Sequence, residues 1–158
     1  MSLVRSIQEK AGAYYLEKEL APPRNISGST LQRASSVALL YSDVDEAFYK
    51  KIRSFVKELH EVHDVQRVCA LAYVDSKQKE LPIYQVQKLE YMYFTKSDLN
   101  WHLKPVVSLM HFIEEEFDVL IDLSTTPCVP LQYMLKASKS KMKVGTSENG
   151  ASELLDLI

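Results

Sequence analysis

The sequence predicts a single α/β domain: a three-layer sandwich on a mainly parallel five-stranded sheet of order 3-2-1-4-5, preceded by a leading helix. Three observations lead there. Short apolar runs alternate along the chain with segments of helical periodicity, the pattern of strands joined by helical crossovers. Two of these runs, Val37–Tyr41 and Val119–Leu123, are almost continuously apolar, as strands covered on both faces are. Two others, Tyr91–Phe94 and Lys141–Val144, alternate or carry charge and suit the edges of a sheet. Right-handed crossovers then leave 3-2-1-4-5 as the order that places the first and fourth strands at the centre.

Each element has its own local reason. Residues 2–20 read as a helix, with Leu3, Val4, Ile7, Ala11 and Tyr14 in one narrow apolar stripe. That stripe is expected to be buried, either on the domain or against a second copy in a homodimer. Pro22-Pro23 ends the helix, and residues 21–35, with Gly28, Ser27, Ser29 and Ser35, form a linker to the domain at 36–158. After the first strand, Asp43 and Glu46 make a capping pair for a helix whose apolar face carries Phe48, Ile52, Val56 and Leu59. Val68–Val74 is the second strand, and a polar stretch containing Pro82 leads to the third. Pro105 is placed to open a helix that runs to Phe117, because its missing N–H costs nothing in a first turn. Pro130–Ser138 forms a last short helix, and outward lysines on the fifth strand discourage edge pairing.

Composition narrows the function classes. The chain has 158 residues, 46% hydrophobic and 25% charged, which excludes a wholly disordered chain, a collagen-like one and a small disulfide scaffold. A net charge of -2 gives no global drive toward nucleic acid. No stretch approaches the roughly 20 apolar residues of a membrane span, and the start lacks a signal-peptide pattern. Cys69 and Cys128 read as buried, reduced thiols, and the cytoplasm is the expected location.

The chain has four glycines, and none lies between the first strand and its helix, where the turn is Tyr41-Ser42-Asp43. A dinucleotide fingerprint and a phosphate loop are both excluded, so neither a nicotinamide nor a flavin cofactor is expected. His60-Glu61-Val62-His63 has the second histidine three residues on instead of four, which breaks the zinc-protease geometry and leaves an exposed helix end; no metal site is expected.

The strand order itself points to a crevice, since the first and fourth strands flank a topological switch point. Ser42 and Asp43 follow the first strand. Asp122 ends the fourth, either organising the loop or facing the crevice, and Ser124, Thr125 and Thr126 lead to the last helix as caps or polar ligands. Trp101, the single tryptophan, and Lys104 lie on the loop before Pro105, as a packing anchor or as a pocket wall. Asp43 and Asp122 oppose an anion, so a neutral polar ligand or a cation-bridged anion fits this set better than a bare phosphate. Lys136, Lys139, Lys141 and Lys143 read as a solvated face.

The run Phe117-Asp118-Val119-Leu120-Ile121-Asp122-Leu123-Ser124, Pro130-Leu131 and Ala137 through Gly145, with Leu99-Asn100-Trp101, Lys104-Pro105 and Val74-Asp75, resembles a family of small uncharacterised bacterial proteins. The resemblance spans about residues 5–158 and implies a single Rossmann-like domain with a leading helix, without an established activity. The fourth-strand segment is also faintly similar to the N-terminal domain of heptosyltransferase-type glycosyltransferases. Those enzymes use two such domains, and one is present here. The leading expectation is therefore a non-catalytic cytoplasmic binding or interaction module. The alternatives are an enzyme or transferase relic using the crevice and, more weakly, an RNA- or ribosome-associated factor.

Overall fold

A strand buried on both faces must be apolar, and the central strands of the sheet obey this up to Asp122, the buried carboxylate that ends the fourth strand. The computed structural model describes residues 2–24, 26, 32–76, 81–85, 90–106, 109–146, 150 and 152–157. Five strands, β1 (Ser36–Ser42), β2 (Arg67–Val74), β3 (Tyr91–Thr95), β4 (Val119–Asp122) and β5 (Lys143–Val144), form one parallel sheet in the order β3-β2-β1-β4-β5. The helices are α1 (Leu3–Lys18), α2 (Glu46–Glu61), α3 (Met110–Glu114) and α4 (Val129–Ala137). Short 3-10 turns cover Lys96–Asp98 and Ser152–Leu154.

Side chains alternate across the sheet. Leu40, Leu71 and Leu120 pack with Phe112, Phe117 and Leu131 of the α3 and α4 side. Val37, Leu39 and Ala70 pack against Ile52, Val56 and Leu59 of α2 on the other. Each such fully buried leucine contributes about 1.5–3 kcal/mol relative to exposure. The expected α/β fold and strand order are those observed.

Several local expectations are corrected. The stripe of α1 does not face the domain: Leu3, Val4, Ile7 and Tyr14 are all exposed, and Gly12 and Leu16 are the buried residues. The helix docks through its least bulky position. A Cβ on Gly12 would lie 2.7 Å from the carbonyl oxygen of His102 and 2.8 Å from Cγ1 of Val129, so glycine alone permits this approach. The Tyr133 hydroxyl donates to the Gly12 carbonyl at 2.8 Å, and Lys136 Nζ donates to the Leu16 carbonyl at 2.8 Å. The second bond satisfies one of the free carbonyls that every helix leaves at its C-terminus. The cap of α2 is Asp45, whose carboxylate accepts from the Phe48 N–H at 2.8 Å, and not Asp43.

The helix expected over 105–117 is reduced to α3. Pro105 instead forms an antiparallel bridge with Leu99, and the Val106 N–H donates to the Asp98 carbonyl, so the chain closes a loop here before any helix begins. Residues 107–108 of that expected helix, and the Ser27–Ser29 part of the linker, lie outside the described residues.

The fifth strand does not present outward lysines. Lys143 is 3% exposed, and Lys141 pairs with Asp118 at 3.3 Å. The outer edge of β5 is met instead by the segment at 156–157: Val144 bridges Leu157 in parallel, and the N–H groups of Asp156 and Leu157 both donate to the Lys143 carbonyl. Arg24 clamps that segment with two bonds to the Asp156 carboxylate, at 2.6 and 2.8 Å. The His60–His63 segment is a helix end, as expected, with Glu61 and Val62 exposed, but His60 itself is half-buried. Its ring nitrogens meet the Val65 carbonyl at 2.6 Å and Glu90 at 3.0 Å, after a turn in which Asp64 takes a φ of 55°. Among the described residues no helix is long and apolar enough to cross a membrane.

Candidate functional site

In a parallel sheet the loops at the strand C-termini part where the strand order reverses, here between β1 and β4. A cleft of about 900 Å³ opens at this end. Its floor is Ser42 and Asp43 at the end of β1, Tyr73 and Asp75 at the end of β2, and Lys96 after β3. The Thr126–Pro130 stretch entering α4 forms one side. The first two turns of α1, with Val4, Arg5, Gln8 and Glu9, form the roof.

Trp101 stands at the rim. It sits on a loop organised by Asn100, whose side-chain oxygen accepts from the N–H groups of His102 and Lys104, both at 3.0 Å. Leu103 completes the turn at a φ of 69°, a left-handed conformation that costs a leucine roughly 1–2 kcal/mol. The indole is 60% exposed and meets the Tyr15 ring edge-on at 5.7 Å, while Tyr15 stacks on His102 at 4.3 Å. Trp101 is therefore a wall and not a buried anchor.

The charged groups of the cleft are each held by protein partners. Asp43 accepts from the Tyr84 hydroxyl at 2.9 Å and from Gln85 Nε2 at 3.0 Å. Loss of water and the Asp43 carboxylate together push the Tyr84 hydroxyl well above its ordinary pKa. Asp75 accepts from Arg5 Nη2 at 3.0 Å and the Tyr73 hydroxyl at 3.3 Å, with Lys96 Nζ at 3.5 Å. Arg5 is held also by Glu9, 3.2 Å away. Burial first, and then Asp75, raise the Tyr73 hydroxyl. Two cations thus face three carboxylates along the lining.

Cys128 is the N-cap of α4 and makes no side-chain cap bond. Burial pushes its thiol up to about 12, although the Leu131 N–H and Ser42 act in the opposite direction. The thiol is protonated at neutral pH. Among the described residues no group of three or more His, Cys, Asp and Glu side chains is placed to hold a metal ion.

Of the residues singled out in the sequence, Ser42, Asp43, Trp101 and Thr126 line the cleft. Lys104 does not: its ammonium is bonded to Glu19 beyond the end of α1. Asp122 and Ser124 are buried behind the cleft, where an Asp122 carboxylate oxygen accepts from the Ser124 N–H at 3.0 Å and turns the chain out of β4. Thr125 is exposed and outside the lining, and the segment between it and Cys128 keeps these hydroxyls from capping α4. Sequence reasoning missed Arg5, Asp75 and Lys96. The last two immediately follow β2 and β3, and scanning the residue after every parallel strand would have found them.

A family model matches residues 8–158. The chain belongs to the DUF6913 family, a family of unknown function. No curated protein and no solved structure matches it. The DUF6913 match takes in all five strands, the cleft floor and most of α1, with Arg5 just ahead of it.

Proposed function

We propose that this DUF6913 protein is a non-catalytic, cytoplasmic binding module whose cleft holds a small, neutral, polar molecule with a flat ring. The observation that carries the reading is the pairing of a roomy cleft with an exposed indole at its rim, while the cleft's charged groups already have protein partners. A volume of about 900 Å³ is that of a small-molecule site. Asp43, Asp75, Arg5 and Lys96 all have protein partners, so a charged ligand would have to break an existing pair. A neutral ring gains the Trp101 face without that cost.

The non-catalytic part of the reading rests on the nucleophiles at hand. Cys128 and Tyr73 both stay protonated through the neutral range, and His102 is engaged by Tyr15, Asn100 and Tyr133. A thermal-shift screen of nucleosides, free heterocycles and simple sugars tests the reading. At a hundredfold excess over Kd a ligand adds about 2.7 kcal/mol, a Tm rise of roughly 5–10 °C for a domain of this size. Trp101→Ala is expected to weaken any such ligand at least tenfold. A screen with no shift, or hits indifferent to Trp101→Ala, would refute the proposal.

A further inference from the structure

We propose that the first two turns of α1 are a lid on the cleft, latched by the charge cluster of Arg5, Asp75 and Lys96 and opening by unwinding ahead of Gly12. The inference rests on the reading of the cleft as a ligand site and adds how a ligand enters it. The helix is held unequally along its length. From Gly12 onward it is seated by close packing: the backbone approach at Gly12, the bond from Tyr133, the stack of Tyr15 on His102, the buried Leu16 and the bond from Lys136.

Its first two turns meet the domain differently. Leu3, Val4 and Ile7 are 77%, 66% and 54% exposed, and among the described residues the ion pair that ties these turns to the domain is Arg5–Asp75, with side chains 50% and 37% exposed. These are the turns that roof the cleft. The two halves of the latch are each assembled on their own side. Glu9 orients Arg5 from within the helix, and Lys96 and Tyr73 hold Asp75 from the sheet. Opening therefore breaks one half-exposed pair and uncovers no core. Gly12, a weak point in a helix, lies where the fixed part begins and marks how far the unwinding runs.

The test is amide hydrogen exchange on the full chain, comparing Ile7–Lys10 with Tyr14–Lys18, all of whose N–H groups lie beyond the unpaired first turn. Ile7–Lys10 is expected to exchange at least tenfold faster. Arg5→Ala and Asp75→Asn should each accelerate Ile7–Lys10 about two- to fivefold, the range of an exposed ion pair, with no further gain in the double variant. Salt at 1 M, where the screening length is about 3 Å, should act like either variant. Tyr14–Lys18 should not respond. A helix end whose fraying the Arg5–Asp75 pair does not restrain would ignore Asp75→Asn, so an unchanged rate in that variant overturns the lid, as does acceleration of both halves together. The readout needs no ligand. A failed ligand screen with the exchange response intact removes the binding reading alone, and an absent response with a bound ligand removes the lid alone.

Discussion

Gly12→Ala is expected to destabilise the protein by about 1–3 kcal/mol, although alanine is the better helix former by roughly 0.5–1 kcal/mol. The new methyl group would stand 2.7 Å from a backbone oxygen, that of His102, in a loop fixed by the hydrogen bonds of Asn100. On its other side Val129 begins α4, which is anchored in the core through Leu131, Met134 and Leu135. Neither neighbour yields without moving an element, so α1 must move. Overpacking of this kind costs about 1–3 kcal/mol, and loss of the Tyr133 bond to the Gly12 carbonyl adds about 0.5–1.5 kcal/mol. Urea unfolding measures the loss. The emission of Trp101, the single tryptophan, reports whether Tyr15 has left its side. A variant as stable as the wild type, with unchanged emission, would mean that α1 is not seated on Gly12.

Lys143→Met should stabilise the protein at pH 7, by about 1–3 kcal/mol, and flatten its stability between pH 7 and 9. The ammonium of Lys143 is buried, with the Lys136 carbonyl near the end of α4 at 3.4 Å and, among the described residues, no carboxylate in bonding contact. Burial, reinforced by the nearby Arg24 and only partly offset by Asp156, lowers its pKa to about 8. Between that value and the roughly 10.4 of an unfolded lysine, the unfolded chain keeps a proton that the folded chain has released. Wild-type stability therefore rises with pH as it enters this window.

Other groups close the window from above. Burial raises the thiols of Cys69 and Cys128 to about 11 and about 12, and the hydroxyls of Tyr41 and Tyr73 also rise. The unfolded chain sheds those protons first, so stability falls again at higher pH, and the maximum lies near pH 9. Urea midpoints of both proteins at pH 7, 8 and 9 provide the check. A wild-type midpoint that falls steadily across this range, or a methionine variant weaker than wild type at pH 7, would contradict the assignment.

The sheet was legible because its chemistry is local. Val37–Tyr41 and Val119–Ile121 are apolar where both faces are covered, and that separates centre from edge. The docking of α1 was not legible, because it depends on an absence of side chain at Gly12, while the visible apolar stripe points to solvent. The 105–117 segment carries helical spacing, but the bridge between Leu99 and Pro105 is a pairing that periodicity does not encode. Burial of Lys143 was hidden for a similar reason: the segment that covers β5 arrives from residues 156–157 and is held by Arg24, far away in the chain.

The cleft shows the same division. Its place follows from the strand order, and Ser42 and Asp43 were found because they end and directly follow β1. Arg5 meets Asp75 across 70 residues of sequence, and Lys104 is drawn away by Glu19, a partner that nothing nearby announces.

Soaking crystals of the full chain with a library of neutral polar ring fragments examines the cleft most directly. Ring density against the Trp101 indole, beneath the first turns of α1 and within reach of Ser42 and Thr126, is the expected result. Fragments bound elsewhere on the molecule while the cleft remains empty would contradict it.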